Sequence, residues 1–278
     1  MKLLSFPLGK ASEHVPGANE PRLDCYLQDV MPQDPEGYAL PAVIIYPGGG
    51  YQHLSAREAE PIAMAFAAKG YQTFILYYSL SPARYPLPLI EGARAVSLVR
   101  EHAAEWKVDS EKIAVCGFSA GAHAAALITC LWEDDEVKKA GLDRALCRPN
   151  ASVLGYPVIT GREDHCHDGS FRNLLGEECD GRRYEFSLEN RVNDRMPPVF
   201  LWHTASDQAV PVESSLWFAE ALVDAGVPFE LHVFPEGPHG ISLATRRTSG
   251  GKPELENKTD AQWIDLCTDW LGRTFGES

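Results

Sequence analysis

Cys116-Gly117-Phe118-Ser119-Ala120-Gly121-Ala122-His123 is the stretch from which the chain is best read. The short apolar run Ile113-Ala114-Val115-Cys116 leads into it, and a small-residue helical run, Ala120 through Cys130, leads out. The pattern is a strand, a tight turn and a helix, with a serine at the turn. Gly117 and Gly121 bracket that serine, where a side chain would crowd the strand and helix folding back around it. Such a turn presents the hydroxyl in a strained backbone conformation that small neighbours tolerate.

Bulk properties narrow the classes. A chain of 278 residues with 45% hydrophobic and 23% charged residues suits one globular domain with a large core. The net charge of −14 argues against nucleic acid or an anionic membrane as partner, because phosphate binding needs basic surface. No stretch reaches the roughly 20 apolar residues of a membrane span, and Met1 to Pro7 lacks the apolar core of a signal peptide. The seven cysteines are scattered and form no CxxC pair, which reads as reduced core thiols and a cytoplasmic setting.

Outward from the serine, short apolar runs alternate with helical periodicity. Residues 3–8 and 22–30 read as strands. Ala42–Tyr46, Gln72–Tyr78, Lys112–Gly117, Ala151–Tyr156, Val199–Thr204 and Phe229–Phe234 read as further strands. Met31 to Leu40 reads as a Pro/Asp/Gly loop. Helices are expected over Glu58–Lys69, Pro86–Glu105, Pro211–Ala225 and Asn257–Phe275. The acidic run Glu133–Glu136 reads as a solvated face, and residues 160–195 as irregular and polar. Fully apolar strands alternating with helices predict an α/β fold: a mostly parallel central sheet, an antiparallel N-terminal edge and helices on both faces. No linker divides the chain, so one domain is expected over 1–278, with 160–195 as an insert or cap over the site.

Ligands of such sheets sit at the carboxyl ends of the strands. Ser119, Asp207 and His239 each follow one, in the chain order Ser, Asp, His. A serine hydroxyl needs a base to take its proton, histidine can do so near pH 7, and a carboxylate holds the imidazole. Among the nine histidines, His203 and His232 lie within strands and read as structural. His123 reads as a residue of the core or of the site's surroundings, and His14, His53 and His102 have no evident partner. Glu213 and Asp224 are rival acids, but both lie on the helix after Asp207. Pro47-Gly48-Gly49-Gly50-Tyr51 follows the strand beside the serine strand, so the N–H groups of Gly49, Gly50 and Ala120 are the candidate oxyanion donors. A phosphate loop is the weaker reading, since the Lys-Ser/Thr ending and the GxGxxG spacing are missing. His165-Cys166-His167-Asp168, near Cys179, lacks the usual zinc spacings and reads as pocket lining rather than metal ligation. Tyr51, His167 and Ser170 are the candidates for substrate contact.

From residue 20 to the C-terminus the chain resembles the α/β-hydrolase esterase/lipase family that includes acetylxylan esterases and related carbohydrate acetyl esterases. The resemblance rests on Tyr46-Pro47-Gly48-Gly49-Gly50-Tyr51, on Gly117 to Gly121, and on His167-Asp168-Gly169-Ser170-Phe171 leading to Asn173-Leu174-Leu175-Gly176. Pro197-Pro198 through Trp202-His203-Thr204 to Asp207, and Gly237-Pro238-His239-Gly240, complete it. It implies hydrolysis of short acyl esters through an acyl-serine, with no metal or organic cofactor. The triad then falls on Ser119, Asp207 and His239, and the oxyanion loop on 48–51. Two departures stand out: Pro47 replaces the histidine of His-Gly-Gly-Gly lipases, and Ala122 stands where glycine is common. The expected function is a serine carboxylesterase acting on a small ester, with acetylated xylo-oligosaccharides as the candidate substrate. The alternatives are an arylformamidase or small-peptide hydrolase on the same triad, and a catalytically inactive binding module.

Overall fold

The computed structural model describes residues 1–9, 15–31, 33–35 and 37–276. His14 and two residues of the loop read over 31–40, at positions 32 and 36, lie outside them. Eight strands form one sheet: β1 (Lys2–Pro7), β2 (Arg22–Leu27), β3 (Leu40–Tyr46), β4 (Gln72–Tyr77), β5 (Val108–Phe118), β6 (Ala151–Gly155), β7 (Val199–Thr204) and β8 (Phe229–Phe234). Their spatial order is β1-β2-β4-β3-β5-β6-β7-β8. β1 and β2 pair antiparallel with each other, β2 pairs antiparallel with β4, and every later pairing is parallel.

Alternate residues of the central strands feed two cores. On β3, Ile44 and Tyr46 face one layer while Val43 and Ile45 face the other. Helices α1 (Glu60–Ala67) and α6 (Trp263–Thr274) cover the second face, where Trp263 stacks on Trp202 at 5.0 Å. Helices α2 (Leu87–Glu101), α3 (Ala120–Leu131) and α5 (Glu213–Ala225) cover the first. β3, β6 and β7 are buried on both faces, so strands without polar alternation are what the burial requires.

Several segments differ from the sequence expectation: β2 stops at Leu27 short of residue 30, β5 begins at Val108 ahead of Lys112, and α1 is shorter than Glu58–Lys69 at both ends. The helix expected through Glu105 ends at Glu101, followed by a short helix over Ala103–Trp106. The C-terminal helix starts at Trp263 rather than Asn257, because the Asn257 side chain accepts from the N–H groups of Thr259 and Asp260 in a turn that precedes it. Residues 160–195 are not irregular throughout. They hold α4 (Asp168–Leu175), a helical turn at Cys179–Arg182 and 3-10 turns over Arg183–Phe186 and Leu188–Asn190. In the acidic run, Asp134 caps a helical turn and Glu133 pairs with Arg195. No helix of the described residues is long and apolar enough to cross a membrane.

Candidate active site

β5 delivers Ser119 into the turn at φ 54 and ψ −122, a region where a side chain is strained. The neighbouring strand pins that turn: the Ser119 N–H donates to the Gly155 carbonyl at 3.1 Å, and Val158 N–H donates to the Ser119 carbonyl at 3.2 Å. Close approach explains the glycines. A Cβ on Gly121 would lie 2.1 Å from the Tyr46 carbonyl oxygen, so α3 rests directly on the end of β3. The contact that forbids a side chain at Gly121 is thus with the end of β3, whereas one on Gly117 would meet the Gly121 carbonyl oxygen at 2.3 Å.

Asp207 follows β7 and His239 follows β8. The Ser119 hydroxyl lies 2.7 Å from His239 Nε2, and His239 Nδ1 lies 2.6 Å from Asp207 Oδ2. The carboxylate accepts from Nδ1–H, which leaves Nε2 free to accept from the serine. Asp207 Oδ1 accepts from the N–H groups of Ala209 and Val210 at 2.9 and 3.0 Å. His203 Nε2 stands 3.4 Å from Asp207 Oδ2 while donating to the Val210 carbonyl at 3.0 Å. Burial pushes the Asp207 carboxyl up, but the hydrogen bonds from His203 and His239 outweigh it and hold the group well below the usual carboxylate range. His203, read as a structural strand residue, therefore also touches the candidate acid. Thr204 Oγ1 and Ser206 Oγ donate to the Gly237 carbonyl at 2.8 and 3.1 Å, which ties the His239 loop to β7.

The glycine loop lies against the serine. A Cβ built on Gly48 would come within 3.1 Å of Ser119 Cβ. The loop is braced from three sides: Gly48 N–H donates to Glu58 Oε2 at 2.8 Å, Tyr78 O–H to the Pro47 carbonyl at 2.6 Å, and Asn173 Nδ2–H to the Gly50 carbonyl at 2.8 Å. Gly48 N–H is thereby occupied. The N–H groups of Gly49, Gly50 and Ala120 have no acceptor among the described residues. Pro47, the departure from the His-Gly-Gly-Gly pattern, anchors the loop through its carbonyl.

The remaining candidates separate. His167 lines a cavity of about 340 Å³ together with Ser119, His239, Gly49 and Gly50. Its Nδ1 accepts from Ser170 N–H and sits 2.8 Å from Ser170 Oγ, so the ring proton belongs on Nε2. Burial, and then the nearby His239, lower its pKa, so the ring is neutral at pH 7. Ser170 is buried behind His167, outside the cavity wall. Tyr51 is also buried. Its O–H donates to His123 Nδ1 at 2.9 Å, and His123 Nε2–H donates to the Phe186 carbonyl at 3.1 Å. Direct substrate contact, expected of Tyr51 and Ser170, is therefore closed to both in this arrangement, since the polar end of each is turned to a histidine. His165 packs on Trp217 at 4.9 Å, while Asp168 pairs with Arg172 and Arg183, so the His165–Asp168 groups diverge. No group of three metal-ligating side chains gathers among the described residues.

Pattern reading missed Gln52, His53, Arg57, Glu58 and Asn173, all of which line the cavity. Asn173 lay within a quoted motif, but nothing in the local pattern marked the others. A larger surface cleft of about 1080 Å³, bounded by residues 130–134, 143–145, 148, 190–193 and 195, holds none of these groups.

A family model described as BD-FAE matches residues 23–222. The chain is 36% identical over 231 residues to "Endo-1,4-beta-xylanase B" of Butyrivibrio fibrisolvens, covering 80% of this chain and 36% of that protein. It is 30% identical over 221 residues to "Acetylxylan esterase" of Xylanibacter ruminicola, covering 77% of this chain and 43% of that protein. The chain thus spans less than half the length of either relative. Among solved structures, an acetyl ester-xyloside bifunctional hydrolase from Caldicellulosiruptor lactoaceticus matches with TM-score 0.80 and 36% identity over 99% of this chain and 97% of that chain. The carboxylesterase Cest-2923 from Lactobacillus plantarum WCFS1 matches with TM-score 0.85 and 28% identity over 99% of this chain and 98% of that one.

Proposed function

The chain belongs to the BD-FAE family of α/β-hydrolases, and from that premise we propose that it is a serine carboxylic ester hydrolase removing acetyl and similarly short acyl groups from small sugars such as xylo-oligosaccharides. The observation that carries this reading is the hydrogen-bonded row Ser119–His239–Asp207 beside three backbone N–H groups without an acceptor among the described residues. Ser119 Oγ attacks the ester carbonyl as His239 Nε2 takes its proton, and Asp207 stabilises the imidazolium. The carbonyl oxygen gains charge toward the N–H groups of Gly49, Gly50 and Ala120. His239 then returns the proton to the departing alcohol, leaving acyl-Ser119. Water, activated by the same histidine, attacks the acyl group and releases carboxylate and free serine.

The cavity wall supports a short acyl group and a polar alcohol. Gln52, His53, Arg57, His167 and Asn173 line it, and no aliphatic, Phe, Tyr or Trp side chain of the described residues does. A long acyl chain would find no aliphatic or aromatic side chain to pack on there, whereas sugar hydroxyls would meet hydrogen-bonding groups, His167 Nε2–H among them. The segment 160–195 supplies His167, Gly169 and Asn173 to this wall and serves as the cap of a single domain. The names of the xylan-directed relatives agree with this reading.

The test is a panel of p-nitrophenyl acetate, butyrate and octanoate, acetylated xylo-oligosaccharides and N-formylkynurenine. Acetate release from the first and the oligosaccharides is expected, with kcat/KM for octanoate lower by at least about tenfold. Activity confined to the formamide or to octanoate would overturn the proposal.

A further inference from the structure

Glu58 is a buried carboxylate in the cavity wall that the proposed chemistry does not use. It is 2% exposed, and its two oxygens reach in different directions. Oε2 accepts from Gly48 N–H at 2.8 Å, at the root of the glycine loop. Oε1 accepts from Tyr156 O–H at 2.6 Å. The Tyr156 hydroxyl in turn accepts from Ser242 N–H at 3.1 Å, just past the histidine loop. The Tyr156 ring meets the His239 ring edge-on, with centroids 5.2 Å apart at 71°. The neighbouring Arg57 donates to the Gly240 carbonyl at 2.7 Å, and Ser242 Oγ donates to the Arg57 carbonyl at 2.7 Å. One short segment thus binds the two loops that carry the candidate oxyanion donors and the candidate base. A buried carboxylate is costly unless hydrogen-bonded, and here both its partners belong to the site.

We infer that Glu58 is a positioning residue that couples the oxyanion loop to the His239 loop through Tyr156, so that donors and base keep one mutual geometry; this rests on the esterase reading above. The chemistry of the two ends requires a carboxylate. Gly48 N–H can only donate, so a glutamine must keep its oxygen there. Its NH2 then meets the Tyr156 hydroxyl as a donor where the phenol proton had its acceptor, so that proton must turn away and the 2.6 Å bond is lost. Glu58→Gln therefore fails at the tyrosine end, and Tyr156→Phe fails at the same end while keeping the ring against His239.

The experiment measures kcat and KM on p-nitrophenyl acetate for the wild type, E58Q, Y156F and the double variant, with circular dichroism confirming the fold. A wild type without activity would refute the esterase reading, and Glu58 coupling with it. With an active wild type, each single variant is expected to lose about 10- to 100-fold in kcat with KM within about threefold. The double variant is expected to be no more than about threefold worse than E58Q, because both lesions break one link. Single-variant kcat values within about twofold of wild type, or losses that multiply in the double variant, would overturn the inference. If E58Q does not fold, Y156F alone decides: a kcat loss at constant KM supports the coupling, and wild-type kcat refutes it.

Discussion

Replacing Asp207 by asparagine should inactivate the protein although the two side chains have the same shape. Oδ1 accepts from two backbone N–H groups, Ala209 and Val210, so the amide oxygen must stay on that side. Its NH2 then points at His239 Nδ1, 2.6 Å from the present oxygen, and toward His203 Nε2. A donor there makes Nδ1 the acceptor and moves the ring proton to Nε2, which can no longer accept from Ser119. Restoring the productive tautomer leaves a buried donor facing a donor, about 1–3 kcal/mol. The imidazolium formed during attack also loses a buried counter-charge, about 3–5 kcal/mol. Together these raise the barrier by about 4–8 kcal/mol, or about three to six powers of ten in kcat. Steady-state hydrolysis of p-nitrophenyl acetate, corrected for buffer hydrolysis, measures this, with near-UV circular dichroism confirming packing. KM should change little. Asp207→Ala, which forces no tautomer, should be no less active than Asp207→Asn. A D207N protein with more than about a tenth of wild-type kcat would refute the reasoning.

Gly49→Ala places a Cβ 2.1 Å from the His53 carbonyl oxygen at a backbone φ of +133. The loop must shift, and kcat should fall about 10²- to 10³-fold with KM little changed; an unaltered kcat would remove Gly49 from the oxyanion role. Gly121→Ala drives a methyl group against the Tyr46 carbonyl and should lower stability in urea by at least about 1–3 kcal/mol. Glu91 is buried on α2 and accepts from Ser79 N–H at 2.7 Å; burial raises its pKa to about 7, against the opposing effect of the Ser79 hydrogen bonds. A raised folded pKa means stability that is full below the unfolded value near pH 4.5 and is lost as pH rises toward 7. Glu91→Gln should therefore gain about 2–3 kcal/mol over wild type at pH 8 relative to pH 5, read from urea midpoints. His123, whose pKa burial lowers to about 4, acts in the opposite sense as pH falls below 6.5, but cancels in that comparison because both proteins carry it.

The central strands were legible because each is buried on both faces and so appears as an unbroken apolar run. Val199–Thr204, buried throughout, coincides with β7, while the half-buried edge strand β8, Phe229–Phe234, showed instead through the alternation of Phe229, Leu231 and Val233 with Glu230 and His232. Boundaries without Gly or Pro were not legible. Nothing marks the end of α2 at Glu101, where His102 stacks on Trp106 at 4.5 Å and turns the chain. Residues 168–175 hid because their helix is short and its cap is the His167 ring rather than a serine, threonine or aspartate. The same division runs through the site. Ser119, Asp207 and His239 are visible because each follows a strand. Glu58 and Tyr156 are 98 positions apart, and their contact leaves no periodic trace in either neighbourhood. Tyr51 was placed near substrate by its position after the glycines, but its positive φ of 59 accompanies a side chain packed inward on His123.

Ser119 as the acyl-accepting nucleophile can be tested on the protein itself. The direct measurement is intact-protein and peptide mass spectrometry after exposure to a fluorophosphonate ester. One adduct per chain is expected, on the peptide bearing Ser119. The Ser119→Ala variant should show neither adduct nor hydrolysis of p-nitrophenyl acetate above background. An adduct at another residue, or wild-type turnover by Ser119→Ala, would take the nucleophile's role from Ser119.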